Sequence, residues 1–161
     1  MKRISAAVSA ASTVMQWIAG TSLVLLMLTT VTDVLLRNVL GKPIPGTYEL
    51  VGFAGGLVIG LALPMTSWRR GHVEVDSFLP RLPARPRAVI QVLTRLLGAA
   101  LFAILAWNLF RLGLDLRASG EVSPTLELRF YPVLFGLALA GLLQTCVLCS
   151  QIGLALRGEY E

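Results

Sequence analysis

The chain has 161 residues, of which 55% are hydrophobic and only 14% are charged, and its formal net charge is +5. Its mean hydropathy is +0.74. A soluble domain normally devotes about a quarter of its residues to Asp, Glu, Lys and Arg, so this composition excludes an ordinary water-soluble fold. The basic excess forms no stripe with interleaved aromatic residues, which argues against nucleic-acid binding. In a membrane protein such charges mainly set the orientation.

The first apolar run predicts a transmembrane helix over about residues 12–37. A Lys-Arg start and small residues resemble a signal peptide. However, the strongly apolar stretch follows the small residues and is long enough to span, so a retained helix is expected rather than a cleaved signal. Asp33 and Arg37 are four residues apart near the end of this helix, where they are expected to pair on one face.

Proline and glycine residues at 41–46 predict a short turn, so the first helix and a second one at 47–68 should form an antiparallel hairpin. The following segment, 69–87, is the most charged part of the chain and is expected to lie partly on the membrane surface. Two further helices are predicted at 88–114 and 130–156. The expected fold is therefore all-α, a single integral membrane domain over residues 1–161 with four transmembrane helices.

The distribution of Lys and Arg predicts which side each loop faces. With the amino terminus inside, most basic residues fall on the inner side, which is the bias expected of cytoplasmic loops. An even number of spans then places both termini in the cytoplasm. Residues 38–46 and 115–129 would face outward.

Glu49 is the most conspicuous polar residue, since it stands at the mouth of an apolar segment. It could carry an ion or proton, or fix a partner. Alternatively, it could be a structural carboxylate favoured by the dipole at the start of the second helix. Its predicted position near the outer boundary favours a structural or partner-fixing role. Asp33 and Arg37 are expected to be its neighbours in a small outer cluster of charges.

Glycines recur four residues apart along the second helix and so line one of its sides, and the fourth helix offers a second small-residue face. Such faces let helix backbones approach closely in lipid. They could pack within this chain or against a second protein; the candidate partner-facing residues are Gly52, Gly56, Gly60, Gly136 and Ala140.

No catalytic motif is present: the sequence contains no HExxH, Walker loop or GxGxxG, so an enzyme is not expected. His72 is the only histidine, which leaves no pair of axial ligands for a haem. Cys146 and Cys149 lie three apart in the last apolar run and are interpreted as small apolar fillers rather than metal ligands. Gln144, a lone amide in that run, is expected to form an interhelical hydrogen bond. No cofactor is expected in this chain.

Several stretches in order resemble one family. The segment Gly71-His72-Val-Glu-Val-Asp76 precedes a Leu-Pro pair, and the segment 123–139 resembles an entry into a fourth helix with Pro132 near its start. With the arginine that ends the first helix and the acid before a glycine-rich span, this series resembles the small, DctQ-like membrane subunit of tripartite ATP-independent periplasmic (TRAP) transporters. The family often carries a tryptophan and paired glutamates before its second helix, where this chain has Glu49 alone.

The resemblance implies a small subunit that braces a large multi-spanning subunit, which would hold the sodium and substrate sites. A periplasmic binding protein would deliver an organic acid to the pair. The outward residues that the resemblance assigns to docking or to the charge cluster are Asp33, Arg37, Lys42, Tyr48, Glu49, Glu121, Glu127 and Arg129. Two alternatives remain open: a membrane anchor of a respiratory complex, and a small autonomous exporter that uses Glu49 as its proton carrier.

Overall fold

Four helices make up the fold in a computed structural model that describes residues 2–69 and 84–155. They are α1 (Lys2–Leu40), α2 (Thr47–Trp68), α3 (Ala84–Ser119) and α4 (Tyr131–Ala155). Each contains a stretch long and apolar enough to cross a membrane. Within the described ranges the only extended pairing is an isolated bridge between Val122 and Arg129. The all-α, four-span fold class is therefore confirmed.

The outer helices α1 and α3 are longer than the predicted 12–37 and 88–114. With 39 and 36 residues at 1.5 Å each they extend over about 58 and 54 Å, against a hydrocarbon core of about 30 Å. The sequence analysis began the first helix near its strongly apolar run and placed the other ends near charged residues. Neither small nor charged residues break a helix that emerges into headgroups and water. Both helices end instead near glycines with positive φ, Gly41 (64°) and Gly120 (69°).

The segment between α2 and α3 lies outside the described residues. The expected surface segment falls mostly within it, as does the family-like motif of Gly71, His72 and Asp76.

The helices pack in the spatial order α1, α2, α4, α3, and α1 also contacts α4. A buried cluster of Met15, Ala19, Leu61 and Ala140 joins α1, α2 and α4. The outer helices expose many large apolar side chains, including Trp17 of α1 and Trp107 of α3. These faces suit lipid or another membrane protein, and α2 and α4 form the centre of the layer.

The contact between α3 and α4 is a seam of small residues that the sequence analysis did not identify. A Cβ added to Gly141 would lie 3.1 Å from the Cβ of Ala106, and one added to Gly113 would lie 2.8 Å from the ring of Phe135. Phe135 in turn packs against Phe110 in a tilted arrangement, with ring centroids 5.5 Å apart. Two helices without a hydrophobic driving force between them are held in this way by close packing.

Candidate functional site

Four helix ends and their two connections meet at one end of the bundle, which we call the loop end (residues 33–49 and 115–131). It comprises the last turns of α1 and α3 and the first turns of α2 and α4. The side chain of Glu49 joins the two halves, because it bonds to residues 123–126. All the residues predicted to face outward lie at this end.

Asp33 organises the connection between α1 and α2. Its Oδ2 pairs with Arg37 Nη2 at 2.7 Å, and its Oδ1 accepts the backbone N–H of Ile44 at 2.8 Å. The hydroxyl of Thr47 lies 3.0 Å from Oδ1 and 2.9 Å from the carbonyl of Ile44, and its single proton can serve only one of them at a time. Asp33 itself is only 4% exposed. The predicted pair with Arg37 is therefore confirmed, within a network that also fixes the turn.

Glu49 is the third residue of α2, a position from which a glutamate often reaches back to the helix N-cap. Here it reaches across to the connection between α3 and α4. Oε2 accepts the hydroxyl of Ser123 at 2.6 Å and the N–H of Leu126 at 3.0 Å, while Oε1 accepts the N–H of Thr125 at 2.8 Å. Both carboxylate oxygens are thus engaged by residues 74 to 77 positions away, which favours the structural alternative over ion transport by Glu49.

Ser123 is the buried centre of the α3–α4 connection. Its hydroxyl donates to Glu49 and accepts the N–H of Leu128 at 3.1 Å. Its backbone N–H donates to the carbonyl of Leu128 at 2.9 Å, and its carbonyl accepts the N–H of Glu127 at 3.1 Å. Glu127 adopts a left-handed conformation with φ of 53°. The connection is therefore a tight, internally bonded loop rather than a loose linker.

Apolar contacts hold this loop against α2 as well. The side chain of Leu126 covers Gly46, where φ is 75° and any Cβ would collide with it. Gly46 also supplies the carbonyl that accepts the N–H groups of Glu49 and Leu50. The rings of Phe53 and Phe130 pack with centroids 5.2 Å apart. Glycine is required at position 46 both by its backbone conformation and by this covering side chain.

The residues of the predicted outer charge cluster take part in two hydrogen-bond networks. Asp33 and Arg37 bond to the α1–α2 turn, Glu49 bonds to the α3–α4 loop, and the two carboxylates share no hydrogen-bond partner. The remaining members of the predicted docking set are exposed on these connections or beside them: Lys42, Tyr48, Glu121, Glu127 and Arg129.

Most of the predicted small-residue face packs within the chain itself. Gly56 and Gly60 lie under Leu137 of α4, and Gly136 lies near Leu57 of α2. Ala140 is 2% exposed, inside the buried cluster that joins α1, α2 and α4. Gly52 differs from the others, because a Cβ added there would meet nothing within 4 Å.

A polar contact between α2 and α4 lies buried inside the bundle, away from the loop end. Gln144 Nε2 donates to the hydroxyl of Ser67 at 2.6 Å, as expected for this amide, and Gln151 Nε2 donates to the carbonyl of Ser67 at 2.6 Å. Cys146 and Cys149 are exposed and unbridged. Within the described ranges, no three His, Cys, Asp or Glu side chains are grouped as a metal ion would require.

Sequence reasoning missed the loop residues that bind Glu49. Two of the three donors are backbone N–H groups, which almost every residue type carries, so the sequence does not identify them. The remaining signal was the Ser123-Pro124 pair, which indicated a turn but not its partner.

No curated protein matches the chain significantly. A family model described as "Tripartite ATP-independent periplasmic transporters, DctQ component" matches residues 26–158, which include both carboxylates and the whole α3–α4 loop. This is a family of transporter components, and the match covers most of a chain with four membrane-spanning helices. The protein is thus a member of the DctQ family, the small membrane component of TRAP transporters.

Proposed function

We propose that this chain braces the large membrane subunit of a TRAP transporter and helps the periplasmic binding protein dock during sodium-coupled uptake of an organic acid. The sodium and substrate sites would belong to the large subunit. The observation that supports docking most directly is the way Glu49 fixes the α3–α4 loop to α2. The loop end would face the periplasm, with both termini on the cytoplasmic side of the inner membrane.

A fixed surface suits docking, because a loop that is already ordered loses little entropy when a partner binds. The loop end presents Lys42, Arg129, Glu121 and Glu127, charges of both signs that can orient a partner. Tyr48 is 84% exposed beside them, and tyrosine is enriched among the residues that dominate binding energy at interfaces. The hydrogen bonds of Asp33 and Glu49 hold in place the turn and the loop that carry this surface.

The docking proposal can be tested with the complete transporter in proteoliposomes. Tyr48→Ala combined with Lys42→Glu should raise the concentration of binding protein needed for half-maximal uptake, while the two membrane subunits still purify together. Arg117→Glu is the matched control, because Arg117 is exposed on the last turn of α3 and lies outside the proposed set. An unchanged half-maximal concentration in the double variant would contradict docking at this surface.

The large subunit is proposed to contact the central helices. The exposed residues of α4 recur at Leu139, Leu142, Cys146 and Cys149, spacings of three and four that define one helix face. On α2, Gly52 is the member of the predicted glycine face that has open space around it. We therefore assign the partner contact to this α4 face and to the region of Gly52, with Gly56, Gly60, Gly136 and Ala140 supporting it from within the chain.

A bulky substitution on α4 tests this assignment. Leu142→Trp should reduce co-purification of the large subunit, since tryptophan would obstruct a close helix contact. Leu101→Trp on α3 is the control, because Leu101 is similarly exposed on an outer helix (63% against 54%). Equal recovery of the large subunit with both variants would contradict the α4 interface and would leave the docking proposal unaffected.

A further inference from the structure

A cavity of about 440 Å³ opens between α1 and α2, at the end of the bundle opposite the loop end. Its volume lies within the range of about 300–1,000 Å³ that is typical of small-molecule sites. The walls come from the first half of α1 and the second half of α2. None of the residues assigned above to docking or to the large subunit lines it.

The cavity is polar at its mouth and apolar along its length. Gln16 and Arg69 are exposed at the membrane-surface end, whereas Gly20, Leu23, Val58 and Ala62 line the deeper part. Gly20 leaves open space in the wall of α1, since a Cβ there would meet nothing within 4 Å.

The groups at the mouth can bind an anion. The hydroxyl of Thr13 already donates to the carbonyl of Ser9 at 2.9 Å, which leaves the amide of Gln16 and the guanidinium of Arg69 as donors. Among the described residues, no acidic side chain pairs with Arg69. Trp17, 75% exposed beside Gln16, is the residue type enriched at membrane interfaces.

The length of the groove matches one leaflet of a bilayer. Val58 in α2 and Arg69 at its C-cap are eleven residues apart, which is about 16.5 Å along the helix axis. Half of the hydrocarbon core is about 15 Å thick. A molecule with an anionic group at Arg69 and an apolar tail along the groove would therefore occupy one leaflet from headgroup to midplane.

We propose that this groove is a binding site for an anionic phospholipid. The phosphate accepts hydrogen bonds from Arg69 and Gln16, and one acyl chain lies along Gly20, Leu23, Val58 and Ala62. A guanidinium matches phosphate oxygens in a bidentate manner, and basic pockets between transmembrane helices recognise acidic headgroups. The site is independent of the proposed function, and the lipid would fill the groove between the two helices of the first hairpin.

The test is native mass spectrometry of the full chain, delipidated in mild detergent and titrated with phosphatidylglycerol or with phosphatidylcholine of the same acyl chains. The wild type should bind phosphatidylglycerol about fivefold more tightly, the effect of one basic residue near an anionic headgroup. Arg69→Gln should abolish this preference. Arg117→Gln, the same charge change at the loop end, should preserve it. Equal binding of both lipids by the wild type, or an undiminished preference in Arg69→Gln, would overturn the proposal.

A second measurement identifies the occupant in the assembled transporter. A photo-crosslinking amino acid at position 20 faces the groove, where Gly20 has open space. After irradiation in membranes, a phospholipid adduct on this chain supports the proposal. A crosslink to the large subunit would overturn it, because the groove would then hold a protein segment. This readout does not depend on whether the Arg69 variant folds.

Discussion

The loop end and the membrane interior of this protein hold their helices together by different means. At the loop end two carboxylates, Asp33 and Glu49, accept hydrogen bonds from backbone and side-chain donors. In the interior α2 and α4 meet through Gly60, Leu137 and the neutral Gln144–Ser67 bond. The two carboxylates thus lie at the loop end, whereas neutral or apolar groups join the helices inside the bundle.

The difference follows from the cost of burying charge. An ionised side chain in the middle of a bilayer is expensive, so the interior relies on close packing of small residues. A charged acceptor near the surface loses little of its hydration, so its desolvation penalty is small. Its hydrogen bonds are roughly twice as strong as neutral ones. The comparison therefore predicts that substitutions at the loop end cost more than loss of the interior amide.

Glu49→Ala should have the largest effect. It leaves the hydroxyl of Ser123 and the N–H groups of Thr125 and Leu126 without their acceptor, so the α3–α4 loop should open. We expect the lowest midpoint of thermal unfolding in this series, and amide exchange at Thr125 and Leu126 that is faster by roughly tenfold or more.

The control is Glu121→Ala, which removes an exposed acid from the same connection and should shift the midpoint only slightly. If both variants unfolded alike, Glu49 would not be what fixes the loop.

Gly60→Leu should have the second largest effect, because the new side chain would collide with Leu137 of α4. Overpacking of this kind costs about 2 kcal/mol, measured as the free energy of unfolding of the purified chain in mixed micelles. Gly52→Leu is the matched control on the same helix, where the added side chain meets open space and no loss is expected. Equal destabilisation by the two would mean that α2 and α4 do not pack at Gly60.

Asp33→Asn sharpens the comparison between the two carboxylates. The amide keeps one acceptor oxygen for Ile44 and Thr47 but loses the charge that pairs with Arg37. We expect a smaller drop in the unfolding midpoint than with Glu49→Ala, and a drop that shrinks at high salt because the lost interaction is partly a screened ion pair. Arg37→Gln should reproduce the salt dependence, and a drop unchanged by salt would show that the charge is not the relevant property.

The sequence was sufficient to predict those features of the structure that depend on residues close together in the chain. Long, mostly apolar runs predicted all four helices, and the four-residue spacing of Asp33 and Arg37 predicted their pair. The ordered series of short motifs predicted the DctQ family, which the match to residues 26–158 confirms.

The partner of Glu49 could not be predicted, because it depends on which helices become neighbours. The carboxylate meets a loop 74 to 77 residues away, and the pattern of apolar residues does not reveal that α2 lies beside α4. The α3–α4 seam was missed for a related reason. Gly98 also belongs to this seam, because a Cβ added there would lie 3.3 Å from Leu148 of α4. Gly98, Ala106 and Gly113 are spaced by eight and seven residues, a periodicity less apparent than the four-residue steps of α2.

Gln144→Met should have the smallest effect, and it tests the interior half of the comparison. The amide donates to Ser67 at 2.6 Å, yet its Oε1 is buried and accepts no hydrogen bond from the described residues. An interhelical hydrogen bond in a membrane contributes on average about 0.6 kcal/mol, and removing a buried acceptor without a partner offsets part of that loss. The free energy of unfolding should therefore change by less than about 1 kcal/mol, measured in the same micelles as Gly60→Leu. A loss as large as that of Gly60→Leu would show that the interior also depends on a polar contact, and the distinction between the two regions would fail.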